Sequence, residues 1–143
     1  MEKRIEEILR ISPELIDPSF AGFKVKSQLI RGVSRLDLMV KTKRGSIIVE
    51  IKQTVLAVKH VEQLLGYCRK WALSREHFIR KDAYLVGFRP MDELPLLAAA
   101  SKSKFNLKLR YIGEDVPRLV QTKNGGGYEP WEEGIGARPI KLF

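Results

Sequence analysis

Two short segments of alternating apolar residues, separated by a glycine-containing turn, most constrain the fold of this chain. The first, residues 36–40, is predicted to place Leu36, Leu38 and Val40 on one face, and Arg35, Asp37 and Met39 on the other. Residues 46–52 alternate in the same way and place Glu50 and Lys52 on one face. The connecting residues 43–45 end in a glycine, which can take a positive φ, so we predict a β-hairpin.

Patterns elsewhere predict an α/β domain with the element order α-β-β-β-α-β-α-β. We predict helices over residues 2–10, 56–73 and 92–104, the last capped by Asp92, and strands over 23–30, 36–40, 46–52, 83–88 and 107–112. The final strand–helix–strand unit predicts a parallel pair in an otherwise antiparallel sheet, and thus a mixed central sheet flanked by helices. Residues 1–122 are assigned to this domain, and the glycine-rich 123–143 to a tail or to closing strands of the same domain.

Composition and charge restrict the partners and the compartment. The 143 residues carry a formal net charge of +9, from 26 Lys and Arg against 17 Asp and Glu, which favours a polyanionic partner such as DNA. A lone cysteine, Cys68, excludes an internal disulfide and a cysteine-rich metal cluster. No apolar run approaches the ~20 residues of a membrane helix, and residues 1–7 contain no apolar signal region. We therefore expect a cytoplasmic protein without a membrane partner.

The hairpin brings together residues that can carry chemistry. Antiparallel pairing about the turn places Asp37 opposite Glu50, within one residue of register, at a Cβ separation of about 5 Å. Two carboxylates this close repel each other unless they share a proton or a cation, and their hard oxygens suit Mg²⁺ or Mn²⁺. The Ile51 carbonyl is a further candidate metal ligand, and Lys52 can orient a water or neutralise phosphate charge. The alternative is a structural Lys–Glu pair on a solvated strand.

The helix after the hairpin presents a polar sector. At helical spacing this sector comprises Lys59, His60, Gln63, Tyr67 and Lys70. Cations, an amide and a phenol together can contact phosphates and stack on sugars or bases, although an ordinary solvated face has a similar composition. We predict DNA contacts at Lys59, His60 and Lys70, and at Arg35 on the strand that carries Asp37.

At these residues the sequence resembles the PD-(D/E)xK nuclease superfamily. Asp37 matches the Asp, Glu50-Ile51-Lys52 matches the E-x-K, and Gln63-Leu64-Leu65-Gly66-Tyr67 is similar to the Q-x-x-x-Y motif of RecB-type members. NucS-like nuclease domains show a similar order, over about residues 1–112. One departure is Leu36, where many members have Pro.

The resemblance implies a restriction-endonuclease-like fold and assigns roles to the matching residues. Asp37 and Glu50 would hold the divalent metal, Lys52 would assist the attacking water, and Gln63 and Tyr67 would lie beside the site. Many members add an acidic residue from the first helix. Glu6 is the candidate here, and Glu2 is the alternative.

The resulting hypothesis is a Mg²⁺- or Mn²⁺-dependent deoxyribonuclease acting in repair, recombination or mobile-element DNA processing. One alternative is a Holliday-junction-resolvase-like homodimer, which needs a dimer surface; the aromatic tail residues Tyr128, Trp131 and Phe143 can form one or pack on the core. Another is a non-catalytic nucleic-acid-binding module on the same fold. Clustered carboxylates argue against that module, because they repel phosphate when no metal is bound.

Overall fold

The architecture is a single mixed sheet with helices on both faces, seen in a computed structural model that describes residues 2–31, 34–75, 77–113, 118–122 and 125–129. The helices are α1 (Glu2–Ile11), α2 (Val58–Trp71) and α3 (Leu94–Ala100), with 3-10 turns at Pro13–Leu15 and Pro18–Phe20. The strands are β1 (Lys24–Arg31), β2 (Ser34–Thr42), β3 (Gly45–Val55), β4 (Ile79–Phe88), β5 (Asn106–Tyr111), β6 (Arg118–Thr122) and β7 (Gly125–Glu129). The predicted order of eight elements is confirmed, with two further strands.

The strands lie in the sheet in the order in which they occur in the sequence. Neighbours β1, β2 and β3 pair antiparallel, as do β5, β6 and β7. The pairs β3–β4 and β4–β5 are parallel, since α2 and α3 carry the chain back to the starting edge. The sequence predicted one parallel pair, and the structure adds a second.

Each face of the sheet buries its own hydrophobic cluster. On the α2 face, α2 and α3 cover sheet residues that include Met39, Ile48, Ala83, Leu85, Leu107 and Leu109. On the α1 face, α1 and the 3-10 turns cover Leu38, Val40, Ile47, Val49, Ile51, Tyr84 and Val86. This two-sided coverage explains the near-continuous apolar runs of β3 and β4.

The alternation predicted for β2 is wrong at one residue. Leu36 packs in the α2-face cluster together with Met39, whereas Leu38 packs in the α1-face cluster, so the alternation breaks at Asp37. The break coincides with an unusual backbone in the neighbouring strand, where Gln28 has a φ of 54°. Leu29, which follows it, packs beside Leu36 on the α2 face.

The hairpin turn forms where the sequence predicted it. Thr42 pairs with Gly45, whose φ is 128°. A Cβ on Gly45 would lie 2.7 Å from the Phe78 carbonyl oxygen, so both the turn and the approach of the neighbouring chain require glycine there.

Some element ends differ from the predictions. β4 begins at Ile79, four residues before the predicted start. Its first half contains the polar residues Arg80, Lys81 and Asp82, so the apolar pattern predicted only the second half of the strand. α3 stops at Ala100, before the predicted end at residue 104. The predicted cap is wrong by one residue, since Glu93 precedes the first helical residue, although the neighbouring Asp92 accepts a hydrogen bond from the Leu94 N–H at 3.0 Å.

Part of the predicted tail joins the sheet, since β7 pairs with β6. The side chain of Tyr128, and the whole of Trp131 and Phe143, lie outside the described residues, so their predicted dimer surface does too. None of the helices in the described ranges is long and apolar enough to span a bilayer.

Candidate active site

The hydrogen-bonded pairing of β2 and β3 ends next to the two carboxylates, Asp37 and Glu50. The β2–β3 ladder runs from Thr42–Gly45 to Leu38–Val49, and the same register carried one step further sets Asp37 against Glu50, as predicted. Beyond that point Asp37 replaces the missing strand partner, because its Oδ2 accepts a hydrogen bond from the Ile51 N–H at 2.8 Å. The Asp37 carboxylate is thereby held at the edge of β3.

Glu50 is a buried carboxyl group facing a second one. Its side chain is 3% exposed. Burial raises the pKa of Glu50 to about 10, reinforced by a hydrogen bond with the Asp37 carboxyl group and by its negative charge, and only partly opposed by Lys52. At neutral pH, and without a cation, this pair therefore retains a proton.

Lys52 lies two residues beyond Glu50 on β3 and is half-buried. It is close enough for its charge to act on Glu50 and on His60, whose pKa is lowered by burial and then by the positive charges of Lys52 and Lys59. The charge of Lys52 therefore acts both on the carboxylate pair and on the start of α2.

Helix α2 brings its polar motif against the carboxylates. The Gln63 amide donates to the Tyr67 hydroxyl at 2.9 Å, one helical turn away. The pKa of Tyr67 is raised by burial and by the negative charges of Glu50 and Asp37, so the phenol lies within their field. Tyr67 is therefore near enough to feel the charges of the carboxylate pair, and Gln63 contacts Tyr67.

His60 does not lie on an exposed face as predicted. Its side chain is 9% exposed, and its Nδ1 accepts a hydrogen bond from the Ala57 N–H at 2.9 Å. The imidazole therefore caps the start of α2, where alanine has no side-chain acceptor to offer. Helical spacing missed this role because the cap depends on the preceding loop.

The other predicted DNA contacts are exposed. Lys59 and Lys70 lie on the solvent side of α2, and Arg35 lies on β2 two residues before Asp37. These three side chains are accessible to a polyanion.

The first-helix candidate is connected to the pair only indirectly. Glu6 is 8% exposed and accepts a hydrogen bond from the Gln28 amide, while the side chain of Glu2 is outside the described residues. Among the described residues, no three His, Cys, Asp or Glu side chains lie close enough together to hold a metal ion. The oxygen donors that the structure brings together are the carboxylates of Asp37 and Glu50. The Ile51 carbonyl lies between Glu50 and Lys52 on β3.

Two residues at the site were not singled out as site residues by the sequence. Gln28 lies between the register pairs Ser27–Leu38 and Leu29–Leu36, and therefore opposite Asp37. Cys68 is fully buried on α2, and burial raises the pKa of its thiol to about 12. No local pattern marks Gln28, because glutamine has no known preference for the left-handed region.

Comparison with solved structures places this geometry in a known fold. The chain is similar to a repair endonuclease from Pyrococcus abyssi, with a TM-score of 0.60 and 19% identity, over 78% of this chain and 46% of that one. It is also similar to EndoMS in a complex with double-stranded DNA, with a TM-score of 0.58 and 19% identity, over 77% and 44% of the two chains. No protein-family model and no curated protein sequence matches it.

The fold is therefore restriction-endonuclease-like. Both neighbours are NucS-type nucleases of that fold, which confirms the fold implied by the sequence resemblance. The chain spans less than half the length of either neighbour.

Proposed function

We propose that this protein is a divalent-metal-dependent nuclease that hydrolyses DNA phosphodiester bonds. The observation that carries the proposal is the Asp37–Glu50 pair, in which a carboxyl group only 3% exposed faces a second carboxyl group. Two such groups destabilise a fold unless a positive species lies between them. Lys52 offsets their charge only in part.

The donor set fits Mg²⁺ or Mn²⁺. Both cations prefer hard oxygen ligands, which Asp37, Glu50 and the Ile51 carbonyl supply, with water or phosphate oxygens completing the shell. Because carboxylates bind a divalent cation in their deprotonated form, Glu50 would release its retained proton on binding one. A cation held there would supply polarisation of a phosphodiester and a lowered pKa of a bound water.

Other residues have roles set by their positions. Lys52 orients the attacking water or neutralises charge on the phosphate, as an ammonium group beside two carboxylates can. Gln63 and Tyr67 position the lysine or contact the substrate. Glu6 contributes from the first helix through its contact with Gln28.

DNA is the proposed substrate because the chain carries a net charge of +9 and exposes Arg35 on the Asp37 strand and Lys59 and Lys70 on α2. One structural neighbour is bound to double-stranded DNA and the other is a repair endonuclease, so we propose DNA repair as the process.

The test is cleavage of labelled single-stranded, duplex, forked and four-way DNA, with Mg²⁺, with Mn²⁺ and with chelator. We expect metal-dependent cleavage by the wild type and none by Glu50→Gln. Lys52→Ala should lose cleavage but still bind Mn²⁺, because it removes no metal ligand. Glu62→Gln, an exposed carboxylate on α2, is the matched control and should cleave normally.

The outcomes separate the candidate functions. Paired symmetric cuts in the four-way substrate by a dimer would assign a junction resolvase. A folded wild type that binds DNA but cuts none of the four substrates would overturn the nuclease proposal in favour of a binding module.

A further inference from the structure

Gln28 has a backbone conformation that its side chain makes unfavourable. It is the one non-glycine residue of the described ranges with a positive φ, 54°. The left-handed region is sterically strained for an L-residue with a Cβ. Such strain persists only where surrounding contacts stabilise the conformation. The register places this residue opposite Asp37, at the break in the β2 alternation.

The hydrogen bond to Glu6 determines which end of the Gln28 amide faces α1. Its Nε2 donates to Oε1 of Glu6, and because a carboxylate only accepts, the amide nitrogen must face Glu6. The amide oxygen therefore faces away from Glu6. This Oε1 atom is buried and has no hydrogen-bond partner among the described residues.

A buried acceptor without a donor is unfavourable, so the orphaned oxygen indicates a missing donor. Gln28 thus contacts Glu6 on one side and presents an unsatisfied oxygen on the other, in the strand position opposite Asp37. Water molecules on a metal ion are strong hydrogen-bond donors and would satisfy this oxygen.

We propose that Gln28 is a positioning residue of the metal site: it anchors the Glu6 carboxylate by a hydrogen bond at the strand position opposite Asp37, and it accepts a hydrogen bond from water on the bound cation. This inference rests on the proposed function, and it adds a member that neither the motif nor the fold assigns. The left-handed backbone at Gln28 turns its side chain toward α1, where a regular strand residue would follow the alternation.

The experiment measures Mn²⁺ binding by calorimetry and electron paramagnetic resonance, without DNA, for wild type, Gln28→Gly, Glu6→Gln and the double variant. Glycine accepts the positive φ without strain, so Gln28→Gly removes the amide and leaves the backbone unstrained. Removing a group that orients metal ligands weakens metal affinity by about 10- to 100-fold, and we expect a loss in this range. Gln28→Asn, which also tolerates the left-handed region, should show the same loss.

Coupling distinguishes positioning from a merely structural role. If Gln28 acts partly through Glu6, the double variant should lose less Mn²⁺ affinity than the sum of the losses in the two single variants. Glu7→Gln, an exposed neighbour on α1, is the control and should bind like the wild type.

Each outcome bears on a different claim. If the wild type binds Mn²⁺ and Gln28→Gly binds it equally tightly, this inference alone is overturned. Losses that add fully in the double variant would overturn positioning through Glu6. If the wild type binds no Mn²⁺, or if Glu50→Gln binds Mn²⁺ as tightly as the wild type, the proposed function is overturned and this inference with it.

Discussion

Two carboxylates on opposite faces of the same sheet, the half-buried Asp17 and the buried Glu50, have opposite environments. Asp17, on the α1 face, accepts hydrogen bonds from the Tyr84 hydroxyl at 2.6 Å and the Ser19 N–H at 3.0 Å, and pairs with Arg110 at 3.4 Å. Glu50, on the α2 face, meets the Asp37 carboxyl group instead.

Their pKa values shift accordingly. Burial acts to raise the pKa of Asp17, but hydrogen bonds from Tyr84 and Ser19 and the charge of Arg110 outweigh it, so the net shift is downward. Burial raises the pKa of Glu50, and Asp37 adds to the effect. The same functional group is thus stabilised in its charged form on one face and destabilised on the other.

The difference distinguishes a structural network from a site. Arg110 is 3% exposed and also donates to the Ile16 carbonyl at 2.6 Å, so the Asp17 network ties the turns after α1 to β5. Asp37 joins β2 to β3 through the Ile51 N–H, but its pairing with Glu50 sets two carboxyl groups against each other, which weakens the metal-free fold, as functional groups often do. Four predictions test this contrast, from the largest expected effect to the smallest.

Replacing the site carboxylates should abolish cleavage without unfolding the protein. For Asp37→Asn and Glu50→Gln we expect cleavage to fall by about 10³-fold or more, the factor that several kcal/mol of metal stabilisation represents. The metal-free melting temperature should stay the same or rise, because the variants no longer need to retain a proton on a buried carboxyl group well above its ordinary pKa. Steady-state cleavage and thermal melting measure the two effects, and Asp17→Asn should show the opposite pattern.

Breaking the structural network should unfold the protein rather than inactivate the site. Arg110→Met leaves the Asp17 carboxylate and the Ile16 carbonyl without their cation, and removing one member of a buried pair lowers the free energy of unfolding by about 3 kcal/mol. Urea denaturation measures this loss, with Arg10→Met on the exposed side of α1 as the control. An equal free energy of unfolding for Arg110→Met and the wild type would mean that the Asp17–Arg110 network contributes nothing to stability.

The two carboxylates should give opposite pH dependences in the metal-free protein. The folded pKa of Glu50 lies above its ordinary value of 4.5, so its stabilising contribution is complete below that value and is lost as pH rises toward 10. The folded pKa of Asp17 lies below 3.8, so its contribution is present above that value and is lost in acid. Thermal melting from acid to alkaline pH measures both.

Variants separate these two contributions. Glu50→Gln should remove the alkaline loss of stability, and saturating Mn²⁺ should do so in the wild type. An alkaline loss that persists in Glu50→Gln would assign it to another group.

The smallest effect concerns the exposed cations of α2. Lys59→Ala and Lys70→Ala should each weaken DNA binding and reduce the slope of log affinity against log salt by about 1, because each releases one counterion fewer. Binding titrations at several salt concentrations, in Ca²⁺ to prevent cleavage, measure the slope. An unchanged slope would remove α2 from the DNA surface.

The sequence determined the features that depend on neighbouring residues. Period-two alternation and a positive-φ glycine specify the hairpin, and therefore the register that sets Asp37 against Glu50. The apolar stripe of α2 specifies which side faces the sheet, and so delivers Gln63 and Tyr67 to the site. These features are local, so a pattern within about 20 residues contains them.

Tertiary structure alone decided the features that join distant segments. The break at Leu36 accompanies the left-handed Gln28 on another strand, and Gln28 donates to Glu6 on the first helix. Arg110 pairs with Asp17, which lies more than ninety positions away in the sequence. Such contacts form when separate elements pack, where burial and the need to satisfy polar groups select partners that no local periodicity records.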